Sequence, residues 1–371
     1  MIHRASTVFV VLAMLGLFTA TSLAQSIMDG TLDDFGFWPE HSALQGISTS
    51  FGDNDFGQPG FCNGSELNSI HITNEDGYIM IFLTGNLESN FNKLEIFIDA
   101  RQFEGQNQLQ HNNPDVDYGG LLRMGNTNEN MTDGLIFDEG FAADLWLSVT
   151  CGDDGNGGFV THASCAELYT DGDGNGTYLG SGSSGNSILN GENGIQIAID
   201  NSNVDGVSGG NLGDCGDDVE TGIEIAIPHF VIDWFFEGIP LDDVKVCAFL
   251  NGSNHDYISN HVLPGIPPSD SLGDPRGLDF NTIPGLQFAQ MGSAVTECPE
   301  YNYGACCLGE VCVPLEEANC VAGGGEYQGT NVPCDESSCL PPSCPTDVNE
   351  DGTTNVDDLL ELLSEFGQPC L

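Results

Sequence analysis

The sequence predicts a mainly β protein: a two-sheet β-sandwich, then a small disulfide-rich module, then a C-terminal loop–helix unit. Three observations carry this prediction. Short apolar runs, several alternating with period two, recur between residues 79 and 250. Their separators are rich in Gly, Asn, Asp and Ser, which supply turns and positive φ. Of the 14 cysteines, those after residue 300 are crowded while the earlier ones are widely spaced.

The strands can be taken in order. Ile79-Met-Ile-Phe-Leu83 is a continuous apolar run, the pattern of a strand buried on both faces. Leu94-Glu-Ile-Phe-Ile98, Ile195-Gln-Ile-Ala-Ile199 and Ile223-Glu-Ile-Ala-Ile227 alternate, and the last stops at Pro228. Leu145–Val149 and Val244–Leu250 are two further candidates. Helical periodicity is scarce here, with 230–236 the only short candidate. Many short strands with loop-rich joints suggest a sandwich over residues 25–297.

Length and charge bound the function. The chain has 371 residues, enough for two or three domains. It carries 56 acidic and 6 basic residues, a net charge of −50. Nucleic acid and anionic membranes need a basic face, so both are excluded as partners. Divalent cations, high salt or plain solubility fit this charge. Hydrophobic content of 40% is that of a folded protein.

Residues 1–24 read as a signal peptide: Arg4 in the n-region, Val8 to Ala20 apolar, and Ser22-Leu-Ala24 before the cleavage point. No later apolar run approaches the length of a membrane span. Export with an even number of cysteines implies disulfides rather than thiol chemistry, and a secreted or cell-surface location.

No catalytic set stands out. Carboxylates are so abundant that an acid pair could be assembled at will. The histidines show no metal spacing, and His255-Asp256 reads as a turn. Gly206-Val-Ser-Gly-Gly210 lacks the flanking strand and helix of a nucleophile elbow. Gly180–Gly185 is not followed by the Lys of a phosphate loop.

Between the strands, Asp171-Gly-Asp-Gly-Asn-Gly176 places oxygens at Asp171, Asp173 and Asn175, a possible calcium loop without an acid at position twelve. Cys151 and Cys165 bracket a short loop and could pair. Trp38, Trp146 and Trp234 are candidate sugar platforms, with Trp146 and Trp234 better suited to the core and Trp38 open to either role.

The strand pattern resembles the family 9 carbohydrate-binding modules and DOMON-like sandwiches. The residues behind this are 85–90, Asn92-Lys-Leu-Glu-Ile-Phe-Ile-Asp99, Gly222–Pro228, Cys247–Gly252 and Ile258–Pro264. The resemblance implies an accessory domain without catalysis, holding polysaccharide on aromatic platforms and sometimes binding structural calcium.

Residues 298–342 are a Cys-rich module. Cys306, Cys307, Cys312, Cys320, Cys334 and Cys339 allow fifteen connectivities. So small a piece depends on bridges for stability, and Pro341-Pro342 closes it with a stiff joint. The segment resembles a short Cys-rich repeat of bacterial secreted proteins.

Residues 343–371 carry the strongest motif. Asp347, Asn349, Asp351, Asn355 and Asp358 occupy positions one, three, five, nine and twelve of an EF-hand-type loop. Gly352 sits at the sharp turn, and Thr353 would offer its carbonyl. These hard oxygens suit Ca²⁺. The stripe Leu359, Leu360, Leu362, Leu363 and Phe366 predicts a following helix. The whole resembles one dockerin repeat, which implies attachment to a cohesin-like or cell-surface protein. It departs from the family in being single and in having Thr354 where an aliphatic residue is usual. Cys344 and Cys370 flank the unit and could staple it as a pair. The expectation is a secreted, non-catalytic calcium-binding protein with a carbohydrate-binding-like sandwich and an attachment tail. The alternatives are an anchored polysaccharide hydrolase, or a matrix protein that binds no sugar.

Overall fold

A computed structural model describes residues 28–32, 38, 41–45, 64–101, 105–153, 155, 159–183, 187–191, 193–202, 219–232, 243–267, 269, 271–295, 303–309, 311–330, 332, 339, 356, 360 and 363. The strands are β1 (Ala43–Leu44), β2 (Glu66–Glu75), β3 (Tyr78–Asn86) and β4 (Asn90–Asp99). A 3₁₀ turn (Asp117–Gly119) and helix α1 (Gly120–Met124) follow. Next come β5 (Leu145–Asp153), β6 (Phe159–Glu167), β7 (Gly176–Ser183), β8 (Ser187–Asn190) and β9 (Gln196–Ile199). The series closes with β10 (Gly222–Pro228), helix α2 (His229–Ile232), β11 (Lys245–Asn251), β12 (Ile258–Leu263) and β13 (Ala289–Gln290).

These strands form two antiparallel sheets. One has the order β1-β2-β3-β10-β9-β8 and the other β12-β11-β4-β5-β6-β7, with β13 beside β11. The fold is the expected β-sandwich. Alternation explains why. Ile70, Ile72, Ile79, Ile81, Leu83, Ile223 and Ile225 meet Leu94, Ile96, Ile98, Leu147, Val149 and Val246 in one buried core. Every strand expected from the apolar runs is present, and β10 ends at Pro228, where the missing N–H stops the ladder. Among the described residues the 230–236 stretch begins as α2.

A second core covers the outer face of the seven-stranded sheet. Phe97, Trp146 and Phe249 point outward from β4, β5 and β11. They pack against Leu109, Leu121, Phe137, Phe141 and Phe280. The ring pairs Phe97–Phe137 and Phe97–Phe249 lie 4.8 and 5.8 Å apart. The residues between β4 and β5, with those after β12, thus form a covering layer. Trp146 is fully buried, as the core reading expects. Trp234 lies outside the described residues.

Beyond the sandwich, β14 (Tyr303–Leu308), β15 (Val311–Glu316), helix α3 (Glu317–Ala322) and β16 (Glu326–Tyr327) make a small unit with sheet order β15-β14-β16. Disulfides join Cys306 to Cys320 and Cys307 to Cys339, and Cys312 is also disulfide-bonded. Cys334 lies outside the described residues, as do Cys344 and Cys370. The Cys151–Cys165 bridge that the spacing allows is not formed. Cys151 faces Thr161 across the ladder and Cys165 faces Leu147, so the two sulfurs never come opposite one another. Burial pushes the Cys151 thiol up to about 12 and the Cys165 thiol to about 11, and raises that of Cys247 strongly. These are inert core thiols, not redox groups.

Alkylation in denaturant without reductant, read by mass spectrometry, should therefore label Cys151, Cys165 and Cys247 and spare Cys306, Cys307, Cys312, Cys320 and Cys339. Labelling of Cys151 in the native protein would show that its burial is wrong.

Candidate functional site: an aromatic row beside a buried charge network

The open end of the seven-stranded sheet's outer face carries the site. β4 starts with a bulge between Asn90 and Lys93. There the Asn90 side chain accepts from the Asn92 N–H at 2.9 Å, and Thr150 donates its hydroxyl to the Asn92 carbonyl at 2.7 Å. Phe91 is thereby held at φ 64°, a conformation disfavoured for a bulky side chain. Its ring is laid over Gly152 of β5. A β-carbon at Gly152 would meet ring atoms at 2.1 Å, so only glycine allows this pose.

Two more rings continue the row. His162 of β6 lies 6.5 Å from Phe91 between ring centres, with planes 30° apart. Tyr178 of β7 lies 6.2 Å from His162, with planes 36° apart. His162 Nδ1 and the Tyr178 hydroxyl are hydrogen-bonded at 2.8 Å. The three rings form a row across the strands, each tilted to the next. Phe91 and Tyr178 are exposed, and His162 is half-buried.

A buried ionic network stands beside the strip. Glu95 on β4 accepts from Trp146 Nε1 at 2.8 Å, from Asn251 Nδ2 at 3.2 Å and from His255 Nδ1 at 2.6 Å. Asp117 accepts from Lys93 at 2.9 and 3.1 Å and from the Ser148 hydroxyl at 2.6 Å. His255 Nε2 lies 3.3 Å from Asp117 Oδ2, an ionic contact without hydrogen-bond alignment. Burial disfavours the charged imidazole, but the Glu95 carboxylate and then Asp117 outweigh it, raising the His255 pKa to about 9. Burial likewise opposes the Asp117 charge, yet His255, Ser148 and Lys93 hold its carboxyl well below the usual range. Two anions and two cations so balance, which is what makes their burial tolerable.

The network fixes an unusual backbone. Asp117, Tyr118 and Gly119 have φ of 49°, 54° and 77°, three left-handed residues in succession. Such runs are costly for L-residues and persist only where the surroundings over-determine them. His255 is left-handed too, at φ 61°. The outcome is that Tyr118 projects into solvent at 91% exposure, on a turn anchored from below. Val116, from the same segment, packs over Gly176, which begins β7. A β-carbon at Gly120 would come within 2.7 Å of the His255 ring, so α1 can start against it only with glycine. Glu95 and His255 have 0 and 1% side-chain exposure. The network therefore positions the turn and does not present an acid or base to solvent.

The residues singled out from sequence lie elsewhere. Trp38 is half-buried on the other sheet, edge-on to Phe82 at 5.4 Å and to His71 at 6.5 Å. Asp171 and Asp173 are exposed, while the Asn175 amide donates to Glu167 at 2.8 Å. The loop closes instead through Asn112, whose carbonyl accepts from the Asp173 N–H at 3.1 Å. No group of three or more His, Cys, Asp or Glu side chains is poised for a metal among the described residues. Asp347, Asn349, Asp351, Thr353, Asn355 and Asp358 lie outside those residues. Sequence reasoning favoured tryptophans and passed over Phe91, His162 and Tyr178. The available signal was Phe91 between two asparagines, an aromatic in a surface-type context. No family model, curated protein or solved structure matches the chain.

One further carboxylate matters for pH. Asp144 accepts from the Ala100 and Arg101 N–H groups at 2.7 and 2.6 Å, and burial pushes its pKa up to about 7. A raised carboxyl favours the folded state when protonated, so its contribution is lost as pH rises from the unfolded value through 7. The raised imidazole of His255 contributes fully below its unfolded value and loses this as pH rises through about 9. Both signs agree. Melting temperature should fall from pH 6 to pH 9.5, and the His255→Gln variant should lose most of the fall between pH 7 and 9.5. Lys93→Met, which takes one of its two cationic partners from the buried Asp117, should cost roughly 3 kcal/mol in urea unfolding. A melting temperature that rises with pH would contradict the charge assignment.

Proposed function

We propose that this chain is a secreted, non-catalytic binding protein whose sandwich holds a saccharide chain on the row Phe91–His162–Tyr178. The observation that carries this reading is the strip itself: three rings in a row, 6.5 and 6.2 Å apart and tilted by 30° and 36°. Flat aromatic faces take up the apolar C–H faces of sugar rings and release water from both surfaces. A shallow open strip suits an extended polymer better than a small ligand, which would need an enclosing pocket. The strained backbone at Phe91, with Gly152 cleared beneath it, supports the same reading. Strain of this sort collects at ligand sites because packing alone does not require it.

The C-terminal segment is the attachment element in this proposal. Asp347, Asn349, Asp351, Asn355 and Asp358, with the Thr353 carbonyl, would hold one Ca²⁺ through hard oxygens and order the start of the helix. Val356, Leu360 and Leu363 are helical and 65, 58 and 57% exposed. Spaced four and three apart, they share one helix face. That apolar face supports a role in docking a cohesin-like or other cell-surface protein.

Affinity electrophoresis against a panel of soluble polysaccharides should retard the wild type on at least one polymer. Phe91→Ala and Tyr178→Ala should each weaken binding about tenfold, in line with the loss of one stacked ring. Gly152→Val, which displaces the Phe91 ring, should do the same, whereas Trp38→Phe should not. Equal retardation of all four variants would remove the strip from the function. Calorimetric titration of the full chain with Ca²⁺ should show a site lost in the Asp347→Ala/Asp358→Ala double variant. Unchanged binding in that variant would rule out the C-terminal loop.

A further inference from the structure

Positive charge is the scarcest resource of this chain, and its placement narrows the kind of glycan the strip can take. Only six residues are Lys or Arg. Five of them, Lys93, Arg101, Arg123, Lys245 and Arg276, are described, and each is engaged within the chain. Lys93 holds Asp117. Arg101 donates to the carbonyls of Ile232 and Val231 and lies 3.3 Å from Glu167. Lys245 donates to the Gly140 carbonyl at 2.7 Å and lies 3.3 Å from Asp99. Arg276 donates to the carbonyls of Gly125 and Leu122 at 3.0 and 2.8 Å. Arg123 lies 3.9 Å from Asp256. Lys93, Arg101 and Lys245 are thus drawn inward, and among the described residues only Arg123 and Arg276 keep exposed Lys or Arg side chains, on and beside α1. Acidic residues near the strip in sequence are exposed, Asp153 next to Gly152 and Asp115 next to Val116.

We propose that the aromatic strip selects glycans bearing free amino groups, polymers of the glucosamine type, and rejects uronate-containing or sulfated ones. This rests on the reading of the strip as a saccharide site. Two terms drive the selection. The exposed faces of Phe91 and Tyr178 attract an ammonium through the ring quadrupole. The −50 field concentrates cations at the surface and repels polyanions before contact. An anionic sugar would find on the described surface only Arg123 and Arg276, both fastened at α1, to offset that repulsion. A neutral sugar keeps the stacking and gains nothing from the field.

The test uses the full chain and three hexasaccharides in calorimetry at pH 6 and low salt: β-1,4-linked glucosamine, its fully N-acetylated counterpart and an oligogalacturonate. The glucosamine hexamer should bind at least about tenfold tighter than the acetylated one, which has the same backbone without the charge. The preference should shrink as salt rises, since screening acts on the field. Binding of the glucosamine hexamer should fall in Phe91→Ala and Tyr178→Ala. Equal affinity for the acetylated hexamer, or binding of the uronate, would overturn the selectivity while leaving the strip as a saccharide site. Glucosamine binding that survives both ring replacements would reduce the effect to bulk attraction by a polyanion and overturn it as well. Failure of every hexasaccharide, together with no retardation on any polysaccharide, would overturn the saccharide reading itself.

Discussion

The Lys93–Asp117–His255–Glu95 network is the contact on which the outer face of the sandwich depends. It joins the first strand of the sheet centre, the turn before α1, and the turn after β11, three segments far apart in sequence. Without it, the left-handed backbone of Asp117 and Tyr118 would rest on the turn's own bonds alone, from the Gly119 and Gly120 N–H groups to the Val116 carbonyl at 3.2 and 3.4 Å. The network also sits where the apolar second core ends. Trp146 belongs to both, packed among Phe97 and Phe249's neighbours and donating its indole N–H to Glu95. One side chain thus couples the packing of the covering layer to the charge balance of the site. A defect in either should loosen both.

The same economy governs the rest of the layer. Lys245, Arg276 and Arg123 each reach from one segment of the outer face to another, and the first two donate to backbone carbonyls. A chain with so few cations spends them on clamps across long sequence separations, where a single strong donor can replace several weak ones. Arg101 instead crosses to the carbonyls of α2, at the end of β10 in the other sheet.

How much of this could be read from sequence depends on how local the cause is. The strands were legible because alternation is a local signal, written in Leu94–Ile98 and Ile223–Ile227. The near-continuous run Ile79–Leu83 was legible as doubly covered for the same reason. The fate of Trp146 was legible because a Trp within a strand pattern has few places to go. The platform was not, because its parts come from β4, β6 and β7 and are aligned by a bulge and a glycine that carry no aromatic signal themselves. His255 was read as an ordinary turn residue. Its partner Glu95 lies 160 positions away, within a stretch whose Leu94 and Ile96 neighbours mark only a strand. The disulfides of the small module were likewise open, since spacing alone leaves the choice to the folded geometry.

An acidity of −50 raises the question of what supplies hydrogen-bond donors when Lys and Arg are almost absent. Here neutral amides do. Asn107 donates to the carbonyls of Phe137, Asp138 and Phe141 at 3.0, 3.0 and 2.8 Å. Asn281 donates to Phe137 at 3.0 Å, and Gln106 and Asn113 bond each other at 2.8 and 3.0 Å. These contacts fasten the covering layer without charge. Screening by salt leaves them untouched, while it weakens the mutual repulsion of the surface carboxylates. Part of the layer's fastening is therefore independent of the field around it, alongside the buried ionic network. That separation lets the surface remain anionic.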